Sequence, residues 1–202
     1  MTPALETPRL LLRPLALADA EPIQRVFPQW EIVRYLNAIV PWPFPEGAAL
    51  AHIRDHALPA MERADEWHWT LRRKTEPDAL IGRIHLSRGE SNNRGFWIVP
   101  ECRGQALMTE AVIAVTDYWF DVLGFPVLRA PKAVANIASR RISEKTGMRL
   151  IGFIEHHYVS GRLPGEVWEV TAEEWRKFRK NRVVAWTLEF RSSGVRVLLP
   201  IP

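Results

Sequence analysis

The sequence predicts one mixed α/β domain in which strands and helices interleave without a regular βαβ repeat. Three observations carry that expectation. The chain has 202 residues, the length of one domain or of one domain with a short appendage. Hydrophobic residues make up 47% and charged residues 25%, values at which a chain can close its own core without a disulfide or a metal. Strand-type and helix-type hydrophobic periods follow one another along the chain, with no repeat and no low-complexity segment.

Arg9–Arg13, an apolar run between Pro8 and Pro14, reads as a strand. Asp19 caps a predicted helix whose apolar face is Ile23, Val26, Phe27 and Trp30. The proline-rich run over 41–45 breaks it. A second helix then places Leu50, Ile53, Ala57 and Met61 on one side, and Pro59 is expected to kink or shorten it. Trp67–Arg73 alternates, and Glu76, Pro77 and Asp78 turn the chain into Leu80–Leu86, which makes a hairpin. Gly95–Val99 is the next strand. After it comes the clearest helix of the chain, with Leu107, Ala111, Val115, Tyr118 and Trp119 at helical spacing and Gly124 as the stop. Leu128–Val134 reads as a weaker strand because Pro131 interrupts it. Asn136 opens a short helix ending at Gly147, Arg149–Val159 and Val167–Val170 are strands, and Thr171 caps a last helix. The domain spans residues 1–182. Residues 183–202 form an appendage, a β-hairpin whose Trp186, Leu188 and Phe190 alternate with polar residues and call for a cover, so a homodimer contact is expected there.

One cysteine, Cys102, allows no internal disulfide, Met1–Glu6 carries no secretory signal, and no uncharged apolar run is long enough to span a bilayer. A cytoplasmic protein with no membrane partner is the expectation. The net charge of +4 favours an anionic ligand. Arg72, Arg73, Lys74 and the basic stretch Arg176–Lys180 read as solvated faces, and a nucleic-acid partner is not expected because no stacking or groove-reading motif accompanies them.

Chemistry concentrates where the Gly95–Val99 strand ends, a tight polar loop follows and the long helix begins. Backbone amides at such a junction have no partner and, with the helix dipole, make an anion site suited to a diphosphate. A second junction, Asn136-Ile137-Ala138-Ser139-Arg140-Arg141-Ile142-Ser143-Glu144-Lys145-Thr146-Gly147-Met148, follows the next strand. The two junctions together, with the opening Glu6-Thr7-Pro8-Arg9-Leu10 and the closing Glu173-Glu174-Trp175, resemble the GCN5-related N-acetyltransferase (GNAT) superfamily. The likeness covers about residues 5–178 and is greatest to the branch of ribosomal-protein N-terminal acetyltransferases.

The resemblance implies the acyl-CoA N-acyltransferase fold, a mixed, mostly antiparallel splayed sheet flanked by helices, with acetyl-CoA as acetyl donor in the splay. The pantetheine arm would pair with the backbone of Ile98 and Val99, and the pyrophosphate would sit on the amides of Arg103, Gly104, Gln105, Ala106, Leu107 and Met108. Asn136 and Ser139 would lie along the arm and near the thioester. Ala106 stands where the family usually has glycine, so the backbone angle there decides the cost. The implied reaction is attack of a primary amine on the thioester in a ternary complex, with a strand amide near Ile98 or Val99 as oxyanion donor. His157 is the candidate base, with Glu155 and water as rivals, and only one of His156 and His157 can face a cleft. Ser139 or Ser143 could protonate the leaving thiolate, Ser143 standing where many members carry tyrosine.

Trp30, Trp42 and Phe44 are candidates for the acceptor side, with packing of helices onto the sheet as the other reading. His52 and His56 have metal-ligand spacing but no third ligand, and no metal is expected. Cys102 reads as a small loop residue. The acceptor is a small-molecule amine or a peptide N-terminus. The rival function is a non-catalytic CoA-binding sensor or scaffold of the same fold, which would bind coenzyme A without releasing thiol.

Overall fold

The computed structural model describes residues 1–181. The expected hairpin over 183–202 and its dimer contact lie outside the described residues. No helix among the described residues is long and apolar enough to cross a membrane.

Two antiparallel sheets form the core. The first has strand order β1-β2-β3-β4-β5, from β1 (Leu5–Glu6), β2 (Leu10–Pro14), β3 (Glu66–Arg73), β4 (Glu76–Ser87) and β5 (Arg94–Ile98). The second has order β6-β8-β7, from β6 (Val127–Ala133), β7 (Arg149–Tyr158) and β8 (Gly161–Thr171). The sheets meet at one end of β5 and β6. There the Asn93 amide donates to the Arg129 carbonyl and the Arg129 amide donates to Asn93 Oδ1, each at 2.7 Å. Beyond that pair β5 and β6 share no ladder, so the sheet opens into a cleft.

Pro131 is tolerated in β6 because β6 is the edge of its sheet, where a missing donor breaks no ladder on the open side. Trp67, Trp69 and Leu71 are buried on the face of β3 covered by α5 (Leu107–Asp117) and its continuation Tyr118–Val122. Trp69 meets Tyr118 edge-on at 5.6 Å. The opposite face of β3 and β4 is covered by α1 (Ala20–Val26), α2 (Trp30–Val33) and a longer helical run, α3 (Ala48–His52) through α4 (Leu58–Glu62).

Pro59 neither ends nor shortens that run. The chain opens into a wider, π-helical turn over Ile53–Ala57 just before it, which absorbs the missing N–H, while Ile53 and Ala57 stay buried. The first predicted helix stops earlier than its periodicity suggests: α1 closes at Val26, and Trp30 starts the separate α2. β8 begins at Gly161, well before the predicted Val167, because Pro164 and Gly165 pair with Glu155 and Ile154 in a hairpin with β7. Arg72 is not part of a solvated face. It is buried and paired with Asp19 at 2.7 Å, and Lys74 pairs with Glu6. A last helix runs over 172–181.

Candidate active site

The open edge of β5 is specific. The Val99 N–H donates to the Ile81 carbonyl and the Val99 carbonyl accepts from the Cys102 amide. Strand alternation therefore turns the backbone groups of Phe96 and Ile98 toward the cleft. Of the two residues expected to pair with a pantetheine arm, Ile98 carries free edge groups, whereas those of Val99 are already used. Phe96 joins it, a position that only the register discloses.

The loop from β5 to α5 makes the cradle. Pro100–Cys102 forms one 3-10 turn, Gly104 has φ +75°, and Ala106 has φ 59° and ψ 10°, so both lie in the left-handed region. The Glu110 amide bonds the Ala106 carbonyl at 3.0 Å, which leaves the amides of Leu107, Met108 and Thr109 without intrahelical acceptors. Guanidinium groups brace the loop. Arg9 donates to the Gln105 carbonyl and to Glu110, Arg73 donates to Gln105 Oε1 at 2.8 Å, and Arg103 reaches the Glu31 carbonyl at 2.8 Å. Burial opposes ionisation of Glu110, but the Thr7 hydroxyl and the Arg9 amide and guanidinium outweigh it and hold the carboxyl below its ordinary range. Amides, dipole and guanidinium groups fit a diphosphate. Cys102 is buried with its sulfur 3.4 Å from Arg73, a loop-packing role.

A cavity of about 1000 Å³ lies between the β5–β6 opening and the α1–α4 layer. Gly95, Phe96, Trp97, Pro131, Asn136 and Ser139 line its cleft side. Asn136 is the N-cap of α6 (Ile137–Lys145), its Oδ1 accepting from the Ser139 amide at 3.2 Å, so its side chain is fixed beside Ser139. Ser143, one turn on, is buried and outside the lining, with its hydroxyl unpaired.

β7 decides between the paired histidines. His156 and Tyr158 line the cavity, His156 Nε2 lying 3.1 Å from Asn37 Nδ2. His157 is exposed and outside the lining, since alternate strand residues face opposite ways. Glu155 is also exposed and ion-paired with Arg162. Phe44 lines the cavity and meets Phe27 at 5.0 Å, while Trp30 and Trp42 meet at a tilt with ring centroids 5.6 Å apart, exposed and outside the lining. Helical spacing does bring His52 and His56 to the cavity, but no cluster of metal-ligating side chains occurs among the described residues. Three further lining groups, His68, Arg83 and His85, escape a sequence reading because their strands look like ordinary alternation.

The sequence model of the acetyltransferase (GNAT) domain matches residues 9–149, more than half of the chain. The chain belongs to the GNAT family. Among curated GNAT relatives, the uncharacterized N-acetyltransferase YoaA of Bacillus subtilis is 28% identical over 168 residues, 81% of this chain and 93% of that protein. YnaD of the same organism is 26% identical over 179 residues, 85% of this chain and 98% of that protein. The fold matches the ribosomal-protein-S5-alanine acetyltransferase of Vibrio fischeri with a TM-score of 0.73 at 14% identity, over 86% of this chain and 98% of the other. It also matches RimL, a ribosomal L7/L12 α-N-protein acetyltransferase in complex with coenzyme A, with a TM-score of 0.71 at 13% identity, over 84% and 98% of the two chains. This GNAT member is an acetyl-CoA-dependent N-acetyltransferase.

Proposed function

We propose that this N-acetyltransferase moves the acetyl group to a primary amine held in the cavity under α1–α4, by direct attack within a ternary complex. The observation that carries this reading is the continuity of that cavity with the open edge of β5, which lets amine and thioester meet without a covalent enzyme intermediate. Alignment of the two reactants supplies much of the rate, since well-oriented intramolecular reactions gain roughly 7–11 kcal/mol. The Ile98 edge amide is the oxyanion donor.

His156 is the base in this reading, in place of His157 and Glu155, because it is the histidine of the pair that faces the cavity. The amine replaces the Asn37 amide at His156 Nε2 and gives that nitrogen a proton, the new C–N bond forms as the C–S bond breaks, and the thiolate takes a proton. Ser139, on the cleft wall, is the proton donor we favour over Ser143, whose hydroxyl lies outside the lining. In this reading the protein works in the cytoplasm, where a lone thiol such as Cys102 stays reduced.

Titration calorimetry with acetyl-CoA, followed by thiol release against amines and peptides, tests the function. Binding with no thiol release for any amine would support the sensor or scaffold reading instead. His156→Ala should lower kcat by about 10²- to 10⁴-fold with an unchanged acetyl-CoA affinity. His157→Ala should leave kcat alone, and the reverse pattern would return the role to His157.

A further inference from the structure

The wall of the cavity on β3 and β4 carries a charge that the transfer reaction does not use. Arg83 Nη2 lies 2.6 Å from His68 Nδ1, and His68 Nε2 lies 2.6 Å from Glu66 Oε2. A guanidinium only donates, so Nδ1 accepts and the His68 proton sits on Nε2, toward Glu66. His68 is thereby fixed as a neutral ring. Burial, the Arg83 charge and His52 push its pKa down to about 2. His85 lies directly across the ladder from His68, with ring centroids 5.1 Å apart, and the absence of a side chain at Gly95 makes room for it. His52, also on the lining, is brought to about 4 by burial, by Arg83 and by His56. The imidazoles around Arg83 are uncharged at neutral pH, while Arg83, lowered by burial to about 10, keeps its charge.

Arg83 makes no ion pair among the described residues, and its Nε is buried without a partner. Ion pairing sets other guanidinium groups apart from it: buried Arg72, whose Nε is likewise unpartnered, holds Asp19 at 2.7 Å and Arg129 holds Glu169 at 2.8 Å. Arg94, buried on the same lining, bonds the Thr116 hydroxyl and the Met148 sulfur and no carboxylate. The nearest carboxylates favour the Arg83 charge without touching it, Glu66 through the neutral His68 ring and Asp19 from its pair with Arg72, and Asp55 is held by Arg54 at 2.6 Å. A cavity-facing guanidinium without an acid in contact can take a ligand oxyanion, which its forked donors fit.

We propose that the acceptor is a small amine that itself carries an oxyanion, a carboxylate or a phosphate, and that Arg83 binds that group while the amine faces the thioester. Arg83 is then a specificity residue of the acetyl-transfer site proposed above, and polycationic amines such as polyamines and aminoglycosides are excluded by charge. The inference rests on that transfer reading only for its kinetic arm.

The test has two arms. In the first, thiol release from acetyl-CoA is followed with matched amines: glutamate against glutamine, phosphoethanolamine against ethanolamine, and spermidine as the polycation. The expected result is at least a tenfold higher kcat/KM for the anionic member of one pair, and which pair responds tells carboxylate from phosphate. Arg83→Gln should raise the KM for that amine by tenfold or more with an unchanged acetyl-CoA affinity, and Arg83→Lys should recover part of it. In the second arm, calorimetry of wild type and Arg83→Gln with glutarate and with inorganic phosphate reads the oxyanion site without any chemistry. Preference for neutral or polycationic amines would overturn the proposal, as would equal glutarate and phosphate binding by both proteins. No thiol release with intact, Arg83-dependent oxyanion binding would overturn the transfer reading and leave the oxyanion site standing. If Arg83→Gln does not fold, the wild-type order of preference decides.

Discussion

Ala106→Gly isolates one backbone angle at the cofactor loop. Ala106 sits at φ 59° and ψ 10°, immediately before α5. An L-residue there is strained by about 1–2 kcal/mol, because its Cβ crowds the following carbonyl. Glycine removes that strain but loses more freedom on folding, by about 0.5–1 kcal/mol. The net expectation is stabilisation of about 0.5–1 kcal/mol, and a chain of this length then melts roughly 1–4 °C higher. Coenzyme A affinity should change by no more than about threefold, because the loop already holds the left-handed geometry and a tenfold change needs about 1.4 kcal/mol. Differential scanning fluorimetry and calorimetry on the purified variant measure both quantities. A fall in melting temperature, or a loss of affinity beyond tenfold, would refute the argument that the loop is built for a residue without a side chain.

Other perturbations follow from the same contacts. Glu110→Gln removes the carboxylate that holds Thr7 and Arg9 against α5 and should cost about 1.5–3 kcal/mol at pH 7 by urea unfolding. Because the folded-state pKa of Glu110 is depressed, its contribution is present above the ordinary carboxyl range and disappears as pH falls through the folded value, so the two proteins should converge in acid. Lys132 is buried, and burial, with Arg94 adding to it, pulls its pKa down to about 6. Between that value and the unfolded-chain value the unfolded state binds the extra proton, so wild-type stability should rise with pH. Lys132→Met should therefore stabilise the protein at pH 7, on the order of 2–4 kcal/mol, with the gain fading toward pH 10. A gain independent of pH would rule out the titration of Lys132 as its source. Truncation after residue 182 should turn a dimer into a monomer by light scattering if 183–202 carries the contact, and an unchanged mass would end that expectation.

The sequence made the framework legible where local rules act alone. The α5 helix, its glycine-bearing loop and the Asn136 cap are set by short-range periodicity and capping, and they stand where the residues indicate. The wall opposite was not legible for a physical reason. Glu66, His68, Thr70 and Arg72 alternate with Trp67, Trp69 and Leu71, the pattern of a strand with one wet face. That polar face is instead roofed by α1–α4, and only tertiary packing discloses it. The choice of His156 over His157 turned on a single residue of register, which alternation limits to two answers but does not choose between. Phe96 and Val99 exchanged roles for the same reason, once the Val99 amide had bonded Ile81.

The split sheet has a consequence for life in a crowded solution. An open strand edge is a template on which another chain can add, and besides the outer edges β1 and β7 this molecule keeps two along its cleft, β5 and β6. They face each other rather than the outside, tied together at Asn93, and Pro131 deprives one of a donor. A foreign strand thus meets a slot closed at one end and short of hydrogen bonds on one wall. A narrow arm that pairs with one edge alone, such as the pantetheine of coenzyme A, meets no such obstacle. The same opening that admits the donor substrate therefore guards these two inner edges against self-association.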